Sequence, residues 1–229
     1  MKKLFCIIAI ALVSASAASA QHFGVIGGFT SSKTSINTQD WMSNVNNVSL
    51  FHAGVAYYQE IGPYFAIQPQ LAFQMKGASV QEMVGTGDAK TALSTLNTKA
   101  GFIELSAGLQ AGIDLLAVRP YILFEPFVGV QVTGLDNYSD AAAALAEDYK
   151  AAMNSYLADA KNKVEFGFGV GGGVQILEHF QVSVQWFMNL GKLYNDGKID
   201  ADAAKSAVLS SYKDIKNYQG IKVSLGVFF

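Results

Sequence analysis

The sequence predicts an all-β fold: an eight-stranded antiparallel up-and-down transmembrane barrel with short periplasmic turns and long, partly helical extracellular loops. Three observations predict it. Apolar and polar residues alternate with period 2 in eight separate segments, the signature of strands with one buried and one contrasting face. The connections between those segments alternate between tight and long, as in outer-membrane barrels. The last segment, Tyr218 to Phe229, is strongly apolar on one face and has no later partner in the chain, so it is expected to close the sheet onto the first strand.

The chain opens MKKLFCIIAIALVSASAASA, with two lysines, an apolar stretch from Leu4 to Val13 and small residues ending Ala18-Ser19-Ala20. This is the pattern of a secretory signal peptide over 1–20, and its apolar stretch is too short to span a bilayer. Residues 21–229 then form one barrel domain, with no cysteine beyond Cys6, so no disulfide framework is available. The net charge is −2 for the whole chain, and more negative once Lys2 and Lys3 are set aside. Arg119 is the sole arginine, and nothing resembles the basic footprint of a nucleic-acid binder. No apolar run beyond the first 20 residues is long enough for a membrane helix, and Gly is frequent at 22 residues, which suits a membrane barrel.

The eight strands are read as Phe23–Ser31, Leu50–Gln59, Tyr64–Lys76, Gly101–Asp114, Tyr121–Thr133, Lys163–Ile176, Phe180–Leu190 and Tyr218–Phe229. In the third, Phe65, Ile67, Leu71, Phe73 and Met75 oppose Gln68, Gln70, Gln74 and Lys76. The seventh sets Val182, Val184, Trp186 and Met188 against Gln181, Ser183, Gln185 and Asn189. Tight connections fall at Ile61 to Pro63, Leu116 to Pro120 and Leu177 to His179; long ones span 32–49, 77–99, 134–162 and 194–217. Helical spacing of apolar residues marks Ser139 to Lys161 and Asp200 to Lys216, and Asp88 to Leu96 has room for a short helical turn. Pro69 and Pro126 lie inside strands, where a missing N–H predicts a bulge or kink.

The apolar faces are expected to point outward. They are almost free of polar residues over the height of a membrane band. Aromatics at strand ends (Tyr57, Tyr58, Tyr64, Phe65, Tyr121, Phe180, Phe229) read as interfacial girdles. The interior then holds Lys76, Glu104, Glu125, Glu165 and Lys222, which are expected to pair with one another and take hydrogen bonds from glutamines. Eight strands leave a filled interior rather than an aqueous channel.

Enzyme motifs are weak. His22, His52 and His179 are the only histidines: His22 sits at the expected mature N-terminus, His179 in a tight turn, and His52 has no carboxylate close in sequence, so nothing announces a catalytic constellation. The segment Asn195 to Asp200 resembles the middle of a calcium loop, but Lys192, Tyr194 and Ala203 stand where ligands belong. The glycines of 167–173 alternate within a strand with no helix after them, so they read as close packing and not as a phosphate loop. No catalytic, metal or cofactor residue is assigned.

The segments FGVIGGFTSS, AIQPQLAFQMKG, GFIELSAGLQAGI, RPYILFEPFVGVQ, VEFGFGVGGGVQI, FQVSVQWFMNLGKLYN and YQGIKVSLGVFF resemble the PorT-like small outer-membrane β-barrel proteins of Bacteroidetes-type bacteria. The resemblance implies a bacterial outer-membrane location, contact with outer-membrane lipid, and a final aromatic, Phe229, read by the barrel-assembly machinery. It carries over no catalytic or ligand residue. The expected role is non-enzymatic, structural or in interaction, with an envelope or extracellular protein or lipopolysaccharide as partner. Contact would run through loops 32–49, 77–99, 134–162 and 194–217, which include Trp41, Met42, Tyr138 and Tyr194. The alternatives are a narrow channel for small solutes and, from another class, a barrel-embedded hydrolase or acyltransferase.

Overall fold

The computed structural model describes residues 22–34, 43–84, 91–140, 162–191 and 217–229. They form eight strands: β1 His22–Lys33, β2 Ser43–Ile61, β3 Phe65–Val84, β4 Thr91–Gly112, β5 Val118–Asp140, β6 Val164–Ile176, β7 Phe180–Asn189 and β8 Gln219–Phe228. Each pairs antiparallel with the next, and β8 returns to β1 through rungs such as Val25↔Val227 and Phe29↔Val223. The barrel is closed, so its backbone groups pair around a full ring.

The faces point as the alternation requires of a barrel with an apolar exterior. In β7 exposure alternates residue by residue, with Gln181, Ser183, Gln185 and Phe187 buried and Val182, Val184 and Trp186 outside. Around the wall, Val25, Phe29, Val55, Leu71, Ile103, Ile122, Val128, Phe166 and Leu225 are all exposed, Phe29 at 73% and Ile122 at 70%. The buried set is dominated by Gln, Glu, Lys, Ser and Thr. A continuous apolar belt of this kind far exceeds the patches that soluble monomers leave open.

β1 is longer than its sequence pattern suggested by three residues, and four strands are longer by much more. β2, β3, β4 and β5 run 19, 20, 22 and 23 residues, because their pairing continues past the segments of strict alternation. Much of 77–99 is therefore paired strand, with rungs from Gly77↔Lys99 to Val84↔Thr91. This corrects the helical turn expected over Asp88 to Leu96, since Thr91 to Leu96 belong to β4. An isolated helix that short is marginal in water. The extended form satisfies the backbone through β3, and Thr91, Thr95 and Thr98 favour it. Ser139 and Asp140, expected to start a helix, end β5. The remainder of that helical segment, the one expected at Asp200 to Lys216 and the signal peptide expected over 1–20 lie outside the described residues.

Two further expectations are corrected. The β2–β3 ladder stops at Ala56↔Gln70 and resumes at Gln59↔Ile67, three residues on along each strand, so Pro69 produces no bulge. The β4–β5 ladder likewise passes Pro126 in register, from Ser106↔Phe127 to Leu109↔Phe124. Each proline interrupts the rungs on one side, while its other side stays paired, Pro69 with Ala107 and Pro126 with Phe168. Intact neighbouring rungs hold the register. The aromatic girdle is also thinner: Tyr64, Phe65, Phe180 and Phe229 are exposed, but Tyr57, Tyr58 and Tyr121 are buried. Tyr58 and Tyr121 lie on the inward side of the pleat, and Tyr57 is covered by Phe23 with ring centroids 5.0 Å apart.

The glycines of β6 make the narrow lumen possible. A Cβ on Gly167 would meet Phe127 Cζ at 2.6 Å, and one on Gly173 would meet Tyr121 Cζ at 2.7 Å. Both would also press on the backbone carbonyl of the adjacent β7 strand. We expect Gly173→Val to lower stability by about 1–3 kcal/mol, the usual range for overpacking. Urea unfolding of the reconstituted barrel checks this; an unchanged midpoint would show that the lumen has slack there.

Candidate functional site: the filled lumen

Inward positions of all eight strands converge on a lumen too narrow for bulk water, so every polar group there needs a protein partner. The structure meets most of this in three layers, with Tyr121 Oη and Gln175 Oε1 left without a hydrogen-bond partner among the described residues. In the first, Lys76 of β3 is 1% exposed and its ammonium donates to Glu104 Oε2 at 2.8 Å, Glu165 Oε1 at 3.0 Å and Asn189 Oδ1 at 3.2 Å. Three acceptors use its three donors. Asn189 in turn donates from Nδ2 to Glu165 Oε2. The rings of Phe127, Phe187 and Phe102 stand 4.2, 5.1 and 5.6 Å from the Lys76 ammonium and add cation–π attraction.

The second layer centres on Glu125 of β5. Its Oε1 accepts from Lys222 Nζ at 2.6 Å and Gln185 Nε2 at 3.2 Å, and its Oε2 from Gln70 Nε2 at 3.0 Å. Beside it, His52 is buried between two hydroxyls, with Thr30 Oγ1 3.2 Å from Nδ1 and Ser224 Oγ 2.9 Å from Nε2. Gln74 Nε2 donates to the same Thr30 oxygen at 2.6 Å. A serine–histidine contact is thus present, but the second ring nitrogen faces a hydroxyl and not the carboxylate that orients a catalytic imidazole.

The third layer closes the end with the tight turns. Gln68 Oε1 accepts from Gln110 Nε2 at 2.7 Å and Gln181 Nε2 at 3.0 Å. Arg119 Nη1 donates to Gln110 Oε1 at 3.2 Å, its Nη2 to the Tyr64 carbonyl at 3.3 Å, and its Nε lies 3.4 Å from Asp114. Phe228 is fully buried and meets Tyr58 edge-on at 6.0 Å. Below them a recess of about 240 Å³ opens between Glu60, Asp114, Arg119, Gln175 and Glu178. Between the second and third layers a void of about 10 Å³ remains, at the lower limit for one water molecule.

The five charged residues singled out from the sequence are all buried, but they form two groups. Lys76 joins Glu104 and Glu165, and Lys222 joins Glu125 alone. Sequence reading missed the completing partners Asn189, Thr30 and Ser224, and gave no place to Arg119 or Phe228. Their inward parity was visible; their neighbours across the lumen were not. Phe229 sits outside the wall with its N–H donating to the Phe23 carbonyl at 2.7 Å.

Removing Lys76 would leave two carboxylates facing each other in a dry lumen. We expect Lys76→Met to cost about 3–5 kcal/mol, and the triple variant that adds Glu104→Gln and Glu165→Gln to recover most of it. Urea unfolding of the three proteins in one detergent separates the cases, and equal stability of single and triple variants would contradict the charge argument.

No family model matches the chain, and no curated protein matches it. Among solved structures it is similar to Ail, the attachment invasion locus protein of Yersinia pestis, with TM-score 0.43 and 13% identity over 92% of this chain and 100% of that one. It is similar to Neisserial surface protein A (NspA), with TM-score 0.43 and 12% identity over 92% of this chain and 98% of that one. At these values neither a residue nor a role transfers from them.

Proposed function

We propose that the protein is a non-enzymatic barrel of the bacterial outer membrane whose work is done by the segments beyond the long-strand end. The observation that carries this reading is the inversion of polarity: an apolar belt outside and a lumen filled with self-paired polar side chains. A soluble barrel would have to solvate that belt, whereas a bilayer covers it without cost. The PorT-like resemblance of the strands supports the same setting, and with it a role for Phe229 in recognition by the assembly machinery.

The filled lumen argues against a channel, since three hydrogen-bonded layers cross it. It also argues against hydrolase chemistry at His52, which is 2% exposed and closed in by Thr30 and Ser224. The loop segments 32–49, 77–99, 134–162 and 194–217 then carry contact with an envelope or extracellular protein.

In isolated outer membranes we expect the protein to migrate differently on a denaturing gel before and after boiling. Reconstituted into a planar bilayer it should give no steady conductance. A soluble, non-shifting protein would overturn the membrane reading; stable unitary currents would favour the channel. Deletion of Phe229 should reduce the heat-shifted fraction in cells while leaving refolding into detergent intact.

A further inference from the structure

The recess at the tight-turn end is the one part of the barrel's inner surface that the three lumen layers leave open. Each tight turn brings one carboxylate to it: Glu60 at the end of β2, Asp114 after β4 and Glu178 between β6 and β7. Arg119 is the cation that lines it, and its guanidinium is already held by Gln110, the Tyr64 carbonyl and Asp114. Three carboxylates against one guanidinium leave the recess negative. Leu116, Ala117 and Val118 give it an apolar stretch of wall.

Gln175 is an independent sign that the recess takes a hydrogen-bond donor. It lines the recess and is 3% exposed. Its Nε2 donates to the Glu178 carbonyl at 3.1 Å, which sets the amide in the recess wall, while its buried Oε1 has no partner among the described residues. A buried acceptor left without a donor is costly, and a guest bearing N–H groups would satisfy it. The turn itself is an unusual place for the third carboxylate. Leu177 and Glu178 have φ of 51° and 62°, the left-handed pair of a two-residue hairpin where Asn-Gly is favoured.

The geometry also limits the guest. Among the described residues no three acidic, histidine or cysteine side chains stand close enough to hold a metal ion, so the negative charge is spread rather than focused. A volume of about 240 Å³ suits a small molecule, at about 30 Å³ for each water-sized group. Spread carboxylates, an apolar wall between turns and an unsatisfied amide oxygen match a short flexible chain with an ammonium at each end. We propose that this recess binds a small linear alkyl diamine, one ammonium at Glu178 and Gln175, the other at Glu60, and the methylenes along Leu116, Ala117 and Val118. The outer-membrane reading above puts the tight turns in the periplasm, so the guest is a periplasmic solute.

The test uses the full chain, isotope-labelled for NMR, in a non-ionic detergent at neutral pH and low salt, with 1,5-diaminopentane as probe. Saturable shifts of the Gln175 side-chain amide and of the Ala117 and Val118 backbone amides are expected. Binding should weaken roughly fivefold in Glu178→Gln and again in Glu60→Gln, each removing one charge from a different turn. Pentylamine, with one ammonium, should bind more weakly than the diamine. No saturable shift, equal binding of pentylamine, no loss in either variant, or displacement of the diamine by equimolar calcium chloride would each overturn the proposal. The boiled and unboiled gel reports on the membrane barrel separately. A heat-shifting protein that ignores the diamine removes the recess site alone, and a diamine-binding protein without a heat shift removes the membrane reading alone.

Discussion

Everything in this molecule depends on closing eight strands into one ring. Closure pairs the backbone of β8 with that of β1 and removes the edges along the belt. It also fixes a lumen so narrow that water cannot solvate what points into it. From that follow both unusual features of the chain. The outer positions are free to be apolar because nothing outside has to be hydrogen-bonded. The inner positions must be polar, small and mutually satisfied, because the space holds side chains only.

The β6 glycines and the charged layers are two answers to the same restriction. Alternate glycines give room on one wall for Phe127, Tyr121 and Gln185 reaching across from the others. The space so created is filled by Lys76 with its two carboxylates and by Glu125 with Lys222. Buried ion pairs seldom stabilise a protein relative to apolar packing of the same shape. Their value here is positional: each lysine ties together strands that are not neighbours, Lys76 of β3 with β6 and β7 and Lys222 of β8 with β5. A lumen tied in this way resists both shear of the ring and passage of ions.

Above the ring the constraint relaxes. Among the described residues β2 to β5 continue past the ends of the other four strands, so the ring is shorter than its longest strands. The ring accounts for stability in a bilayer.

Strand number, antiparallel order, the outward apolar face and the burial of Lys76, Glu104, Glu125, Glu165 and Lys222 were legible in the sequence, because period-2 alternation is a local property and eight such segments leave few topologies. Pro69 misled because a lost donor can be absorbed by its intact neighbours, and Thr91 to Leu96 misled because β4 gains its partner from β3 and not from its own pattern. Tyr58 and Tyr121 have the parity of inward residues, yet their place at strand ends imitated a girdle. The sequence by itself determined which side chains face the lumen. Only the tertiary structure decided which of them meet, since shear of the closed ring sets the heights at which inward residues of distant strands coincide. It alone separated Lys76 with Glu104 and Glu165 from Lys222 with Glu125, and placed Ser224 against His52.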